Sequence, residues 1–222
     1  DPEMVRVVLR EPEPLASVLA LESTWDAYLD AEPFPRARVS DLDTIAVAFA
    51  RYADLKSPWF LGHSEGVARL VRRATEASGD GELEGKVAYR AALLHDIGIV
   101  GVPNGIWDRP GPLNPQEWER VRQHSYQSER ILRQSPALAP YADLAGMHHE
   151  RLDGSGYHRG LSGPTAIPLG AAIVAAADAY RCKVEERPYR RAFEPAAAAR
   201  YVTSLAGAGK IDRRAAEAVV AA

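Results

Sequence analysis

Histidine and aspartate side chains give this sequence a set of potential metal ligands. Imidazole nitrogens and carboxylate oxygens together suit zinc, iron, manganese or nickel ions. The candidates are His63, His95, Asp96, His124, His148, His149 and Asp178. Their number exceeds what one ion holds, whereas two ions that share one carboxylate accommodate them all. Two ions clamp a phosphate and activate a bridging hydroxide, so the set predicts hydrolysis of a phosphate ester.

Two of the aspartates lie beside or within apolar segments, which is unusual for a carboxylate. Asp96 comes just after the apolar run 91–94, and Asp178 stands within an alanine-rich segment. A buried carboxylate is costly unless a cation or hydrogen bonds compensate for the lost water. His148 and His149 are adjacent near a predicted helix end, where neighbouring side chains point about 100° apart. Both rings therefore bind one ion only if it lies between their two directions.

Each candidate also has an ordinary structural interpretation. His124 on an amphipathic helix is typical of a solvated surface residue. Asp96 can cap a helix, and Asp178 can be a buried, hydrogen-bonded carboxylate. The single cysteine, Cys182, excludes a disulfide scaffold or a multi-thiolate cluster within one chain and favours a reducing compartment. The metal hypothesis therefore depends on imidazoles and carboxylates acting together.

Helices must bring these distant residues into contact. Apolar periodicity predicts helices over residues 15–30, 41–56, 62–77, 82–94, 115–134, 137–150, 168–185, 195–206 and 212–222. Asp41 and Asn114 are predicted N-caps, with Pro115 at a favoured first helical position. Residues 5–9 form the one clear β-branched run, and it is short. The predicted fold class is all-α, with the alanine-rich helix 168–185 at its centre.

Composition places the chain among ordinary globular proteins. It has 222 residues, of which 46% are apolar and 26% charged, so disorder and fibre are excluded. A net charge of −3 opposes binding to a nucleic-acid polymer. No apolar run is long enough for a membrane span, and no signal peptide is evident, so a cytoplasmic location is expected. The chain starts at Asp1 rather than Met, which indicates a fragment of a longer protein.

The ordered ligand set and its local sequence resemble the HD-GYP subgroup of the HD-domain phosphohydrolases. The resemblance covers residues 60–192 approximately. The matching segments are Leu94-His95-Asp96-Ile97-Gly98, then His148-His149-Glu150-Arg151-Leu152-Asp153-Gly154-Ser155-Gly156-Tyr157, then Ile167-Pro168-Leu169, then Arg187-Pro188-Tyr189-Arg190. This family is a bacterial, all-helical HD-domain bundle that binds two or three metals. Its best-known members hydrolyse the second messenger cyclic di-GMP.

The resemblance assigns the ligands to two ions. It implies that His63, His95, Asp96 and Asp178 hold the first metal. It implies that Asp96 bridges to a second metal held by His124, His148 and His149. Arg187 and Arg190 match family positions that contact substrate phosphate. Members with three metals carry a glutamate where this chain has Trp59, so a dinuclear site is expected, with iron or manganese favoured and zinc also accepted.

Two departures from the family pattern concern the substrate. The family motif continues His-Asp-x-Gly-Lys, but this chain has Ile99 in place of the lysine, and Ile99 places no cation near a phosphate. The family's Gly-Tyr-Pro reads Gly156-Tyr157-His158 here, which frees the loop backbone and adds a titratable ring. The metal ligands are complete, whereas cyclic di-GMP is one substrate among several that stay open.

The sequence as a whole predicts a metal-dependent phosphodiesterase. Residues 1–56 are expected to form an N-terminal helical extension or linker, and residues 57–222 the HD-GYP-like domain. The substrate is expected to be a small phosphoester or cyclic dinucleotide. The alternatives are a phosphohydrolase for another nucleotide and a non-catalytic metal-binding signalling module. Helix 41–56 suggests a homodimer surface or a link to a missing sensor domain.

Overall fold

Helices make up the regular structure of this chain. The computed structural model describes residues 1–13, 16–17, 20–31, 33, 41–78 and 81–222. Within those residues there is no extended strand, and the isolated bridges join Asp153 to Ser162 and Arg187 to Arg190. The predicted all-α class is therefore confirmed. The chain divides into two compact units, Asp1–Ser40 and Asp41–Ala222.

The first unit contains helices α1 (Pro2–Arg10) and α2 (Thr24–Ala31). The β-branched run 5–9 lies inside α1, so a strand interpretation of that run is wrong. Asp1 caps α1 by accepting a hydrogen bond from the Glu3 backbone N–H at 2.8 Å, and this cap with Pro2 at N1 starts the helix. Within the predicted helix 15–30, residues 16–17 and Thr24–Ala31 are helical and residues 20–23 are not, while residues 14–15 and 18–19 lie outside the described residues.

The second unit contains nine α-helices and two short 3₁₀ helices within its described residues. The α-helices are α3 (Leu42–Asp54), α4 (His63–Ser78), α5 (Glu82–Leu94), α6 (Asn104–Trp107), α7 (Pro115–Leu132), α8 (Ala139–Gly146), α9 (Leu169–Val184), α10 (Pro195–Gly207) and α11 (Arg213–Ala221). The 3₁₀ helices are Pro58–Phe60 and Ile97–Gly101.

Most of the predicted helices in this unit are confirmed within two residues. The predicted caps are also present. Asp41 accepts a hydrogen bond from the Asp43 N–H at 3.0 Å. Asn114 and Glu117 form a reciprocal capping box, each hydrogen bond measuring 2.9 Å. The exception is the predicted helix 137–150, because α8 ends at Gly146 and a turn follows it. His148 and His149 therefore lie on that turn rather than on the helix.

The core of the second unit is built around α9. The stretch from Ala171 to Ala179 is buried along its whole length, and small side chains allow α4, α5, α8, α10 and α11 to pack closely around it. This confirms the predicted central position. Helix α3 packs against α4 and α5, and its Ala46 and Ala50 join the main core, whereas Ala53 packs with Phe60 and Ile99.

The compact unit begins at Asp41, while the predicted division between 1–56 and 57–222 stays a prediction. No helix in the described part of the chain combines the length and the apolar character needed to cross a membrane.

Candidate metal centre

Asp96 lies at the centre of the predicted ligand set. It follows α5 and immediately precedes the 3₁₀ helix Ile97–Gly101, so its carboxylate is held where two elements join. Oδ2 of Asp96 lies 3.3 Å from His95 Nε2 and 3.7 Å from His63 Nε2. Oδ1 lies 3.4 Å from His124 Nε2 and 3.6 Å from His148 Nε2. One carboxylate therefore faces two pairs of imidazoles, one pair on each oxygen.

Hydrogen bonds on the far side of each ring orient the histidines. His95, His124 and His148 each place Nδ1 against the carbonyl three residues earlier, at 2.7, 2.5 and 2.6 Å respectively. A carbonyl accepts only from a protonated Nδ1, so Nε2 is the nitrogen that faces Asp96. Such outer contacts fix the tautomer that a metal requires. Local backbone carbonyls therefore orient three imidazole rings with Nε2 toward Asp96.

Asp178 connects the two ends of the cluster. Its Oδ1 lies 3.3 Å from His63 Nε2, and its Oδ2 lies 4.0 Å from His149 Nδ1. Asp178 is only 4% exposed on α9, so its charge has lost its hydration. The structure thus brings all seven predicted ligands together. The potential donor atoms form three groups, and within each group the atoms lie within 4.8 Å of one another. The groups are His63–His95–Asp96, His63–Asp178–Cys182 and His124–His148–His149.

The charges of the cluster are strongly coupled. Burial alone would lower the pKa of His63, but hydrogen bonds to Asp178 and Glu185 raise it to about 10. Burial and the neighbouring imidazoles of His95 and His124 lower the pKa of His148 to about 3. Burial alone would raise the pKa of Asp96, yet the surrounding imidazoles hold it well below its usual range. The Asp96 carboxylate is therefore charged, and the His148 ring is neutral.

The cluster fits a divalent cation on physical grounds of its own. His95 is fully buried, and its Nε2 makes no hydrogen bond to any described residue although Asp96 lies 3.3 Å away. A buried, unpartnered nitrogen needs an explanation, and a bound ion supplies one. The donors are imidazole nitrogens and carboxylate oxygens, which is the set that zinc, iron and manganese accept.

Helix α7 packs closely against the 3₁₀ helix Ile97–Gly101, and this contact fixes the position of His124 relative to Asp96. The Gly98 N–H donates to Ser128 Oγ at 2.9 Å. A Cβ at Gly98 would lie 2.0 Å from the His124 carbonyl oxygen, so only glycine allows this approach. Trp107 packs edge-on against His124 with ring centroids 6.1 Å apart and donates its indole N–H to the Ile99 carbonyl at 3.2 Å.

The two predicted phosphate-binding arginines lie close to the centre but are engaged with the protein. Arg187 is 7% exposed; it donates to Glu185 Oε2 at 2.9 Å and to the Trp59 carbonyl at 2.5 Å. Arg190 donates to backbone carbonyls around the end of α9, including that of Lys183 at 3.0 Å. These contacts give both arginines a structural role, and their predicted contact with substrate stays a prediction.

The two departures from the family pattern have clear positions. Ile99 is 1% exposed in an apolar cluster with Ala53 and Phe60, so its side chain packs away from solvent. His158 lies with Nε2 3.1 Å from Glu129 Oε2 and with Nδ1 3.5 Å from Ser125 Oγ. Both ring nitrogens of His158 are thus directed at α7, and burial lowers its pKa.

Two residues that sequence reasoning missed complete the environment of His63. Glu185 accepts a hydrogen bond from His63 Nδ1 at 2.7 Å, which orients this ring as carbonyls orient the others. Cys182 places its thiol 3.2 Å from Asp178 Oδ1. Cys182 stands four residues after Asp178, so these two side chains share one face of α9, and Glu185 directly follows the helix. That spacing was the signal available in the sequence.

The rim of the cluster carries an aromatic ring and a cation. Tyr157 lies on the glycine-rich loop with its ring centroid 4.6 Å from that of His149. The Arg122 guanidinium lies 5.9 Å from the Tyr157 ring, and its side chain is 53% exposed beside Glu119. An exposed cation beside the cluster is suited to contact an anionic ligand.

Comparison with known proteins gives an independent line of evidence. A family model described as HD domain matches residues 48–215. The 3′3′-cGAMP-specific phosphodiesterase 3 of Vibrio cholerae is 37% identical over 198 residues, which is 86% of this chain and 43% of the relative. The cyclic di-GMP phosphodiesterase of Thermotoga maritima is 42% identical over 147 residues, 65% of this chain and 40% of the relative. The chain thus spans about two fifths of the length of these curated relatives.

Solved structures share the fold. A crystal structure of a cyclic GMP-AMP-specific phosphodiesterase from V. cholerae aligns with a TM-score of 0.52 and 32% identity, covering 100% of this chain and 51% of that one. An HDG"Y"P protein from Bdellovibrio bacteriovorus aligns with a TM-score of 0.62 and 16% identity, covering 81% and 62% of the two chains. The second likeness concerns the fold alone.

Proposed function

From the premise that this chain belongs to the HD-domain family and is of its HD-GYP type, we propose that it is a metal-dependent phosphodiesterase. Its substrate is a cyclic dinucleotide, and its active site is a dinuclear metal centre around Asp96. The activity and substrate belong to the proposal, because the chain spans about two fifths of the named enzymes.

The division of the Asp96 carboxylate between two pairs of imidazoles supports this proposal best. A residue that only balanced a buried histidine would need one oxygen near one ring. Here each oxygen has two Nε2 atoms between 3.3 and 3.7 Å away. Such an arrangement suits a carboxylate that bridges two cations.

The residues have distinct roles in this proposal. His63, His95 and Asp178 would hold one cation with Asp96, and His124, His148 and His149 would hold the other. When bound, the two cations supply an activated water and neutralise the charge that develops on the phosphate. The carboxylates hold ions rather than donate protons, because the pKa values of Asp96 and Asp178 lie well below the usual range. Protonation of the leaving oxygen would therefore come from water or from another side chain.

The names of the relatives favour a guanine-containing cyclic dinucleotide as the substrate. One relative is described as specific for 3′3′-cGAMP and another as a cyclic di-GMP phosphodiesterase. Because Ile99 is buried and Arg187 is paired, the metal centre itself carries most of the positive charge offered to a phosphate. The exposed Arg122 beside Tyr157 adds a cation at the rim. Iron or manganese is the proposed metal, with zinc as an accepted substitute. A homodimer and an additional sensor domain stay predictions.

A substrate panel with defined metals tests the proposal. Chain loaded with Mn²⁺, Zn²⁺ or anaerobic Fe²⁺ is incubated with cyclic di-GMP, 3′3′-cGAMP, cyclic di-AMP, a linear dinucleotide and a generic phosphodiester, while bound metal is counted. We expect two ions per chain and cleavage of a guanine-containing cyclic dinucleotide. Two bound ions with no cleavage in any condition would instead indicate the non-catalytic signalling module.

Substitution of the bridging residue gives a second test. Asp96→Ala should lose both metals and activity, because four imidazoles lose their common partner. Asp43→Ala is the matched control, since Asp43 pairs with Arg90 at 2.6 Å and is 48% exposed. The control should keep both metals, and retained turnover in the Asp96 variant would refute the bridging role.

A further inference from the structure

Cys182 lies at the edge of the metal centre described above. Its Sγ is 3.2 Å from Asp178 Oδ1, and that same oxygen is 3.3 Å from His63 Nε2. The donor atoms of His63, Asp178 and Cys182 all lie within 4.8 Å of one another. Ligands about 2.0 to 2.3 Å from one ion are separated by no more than about 4.6 Å. The distances of 3.2 and 3.3 Å fall within that limit, and the 4.8 Å bound on the third pair is close to it, so a small adjustment brings the three atoms into a single coordination shell.

The position of the sulfur follows from the helix that carries it. Cys182 stands four residues after Asp178 on α9, so both side chains are on the same helical face. The side chain of Arg187 approaches from the other direction, with Nη2 3.8 Å from Sγ. Burial and the nearby Asp178 carboxylate raise the pKa of the Cys182 thiol well above its ordinary value, against the effect of the guanidinium.

A second observation points independently to a ligand in this part of the cluster. His95 Nε2 is buried and makes no hydrogen bond to any residue that the structure describes. The His95 ring lies 5.5 Å from the ring of His63. His63 belongs to both groups of donors, one with His95 and Asp96 and the other with Asp178 and Cys182. One side of the centre therefore offers an unpartnered nitrogen and a sulfur around a shared imidazole.

We propose that Cys182 Sγ is a ligand of the cation held by His63 and Asp178. The thiol loses its proton to solvent as the sulfur binds the ion. A thiolate is a soft ligand, so this site prefers Zn²⁺, Co²⁺ or Fe²⁺ to Mn²⁺ more strongly than a site of imidazoles and carboxylates alone. This proposal rests on the metal centre of the proposed function. It adds that Cys182 influences which divalent metal the site prefers.

Cobalt substitution tests the proposal through a signal that is separate from activity. The full chain is loaded with Co²⁺, and its absorption is recorded from the near ultraviolet to the visible range. A sulfur–Co²⁺ bond gives a charge-transfer band in the near ultraviolet, and bound Co²⁺ of any kind gives weaker visible bands. Cys182 is the single cysteine of the chain, so the assignment is unambiguous.

The matched variants are Cys182→Ser and Cys182→Ala. We expect the wild-type chain to show both kinds of band, and Cys182→Ser to keep the visible bands but lose the charge-transfer band. Competition with Zn²⁺ and Mn²⁺ should show a Zn²⁺ preference that falls about tenfold or more in both variants. Serine keeps a hydroxyl that can donate to Asp178, so a thiol that only positions Asp178 would be rescued by serine and not by alanine.

The outcomes separate this proposal from the proposed function. Visible cobalt bands in the wild-type chain without a charge-transfer band would overturn the sulfur ligand and leave the dinuclear centre standing. A charge-transfer band that persists in Cys182→Ser would also overturn it. Failure of the wild-type chain to bind cobalt, zinc and manganese would overturn both.

Discussion

Gly98 sets the distance between Asp96 and the histidine of α7, and Gly98→Ala should therefore damage the metal centre without touching a ligand. The added Cβ would lie 2.0 Å from the His124 carbonyl oxygen and 2.6 Å from the Ser128 nitrogen. Both atoms belong to the backbone of α7, so no side-chain rotation relieves the clash. Ordinary contact begins at 3.4 Å, so the two elements must separate by about 1.4 Å.

The expected effects follow from that separation. Overpacking of a tight core contact costs about 1 to 3 kcal/mol of unfolding free energy, which corresponds to a fall in Tm of about 2 to 12 °C for a chain of this size. The His124 Nε2 lies 3.4 Å from Asp96 Oδ1, and a displacement of about 1 Å at such a site reduces turnover about 100-fold. The second ion, assigned to His124, His148 and His149, should be the one lost.

The assay pairs Gly98→Ala with Gly101→Ala. Both glycines belong to the same 3₁₀ helix, but a Cβ at Gly101 would meet only the Gln127 side chain at 4.0 Å. The control should stay within about 0.5 kcal/mol of wild type and keep two ions per chain. Thermal unfolding, metal content and turnover are measured for both variants. Equal metal content and activity in the two variants would refute the idea that this contact holds the centre together.

Three further outcomes are expected. Glu185→Gln should weaken metal affinity about 10- to 100-fold, because the charged acceptor that orients His63 is lost; chelator competition measures this, and an unchanged affinity contradicts it. The pKa of His63 is raised to about 10, so a cation must displace a proton there; in Cys182→Ala, which has no thiol proton to lose, affinity should rise with pH about tenfold per unit between about pH 6.5 and 9, with about one proton released. Calorimetry in buffers of different ionisation enthalpy checks this, and a pH-independent affinity would argue against it. Arg122→Ala should raise the KM for the cyclic dinucleotide about 3- to 10-fold with kcat nearly unchanged, whereas Arg120→Ala, on the same helix, should leave steady-state kinetics unaltered.

The sequence alone determined the ligand types and the elements that carry them. Asp178 is conspicuous because a carboxylate in an alanine-rich helix needs a compensating charge. Asn114 followed by Pro115 marks the start of α7, because local capping chemistry acts within one helical turn. The end of α8 was predicted less well, since the turn after Gly146 is held by contacts of His148 with the Ala145 carbonyl.

Only the tertiary structure decided what the residues around the predicted ligands contact. Cys182 shares a helical face with Asp178 and Glu185 directly follows that helix, but whether they reach His63 depends on how α9 packs against α4. Arg187 and Ile99 carry family motif positions, yet one is paired with Glu185 and the other is enclosed by apolar side chains. Contacts between residues more than a hundred positions apart depend on how whole helices pack. The local pattern that predicts each helix does not specify which other helices it packs against.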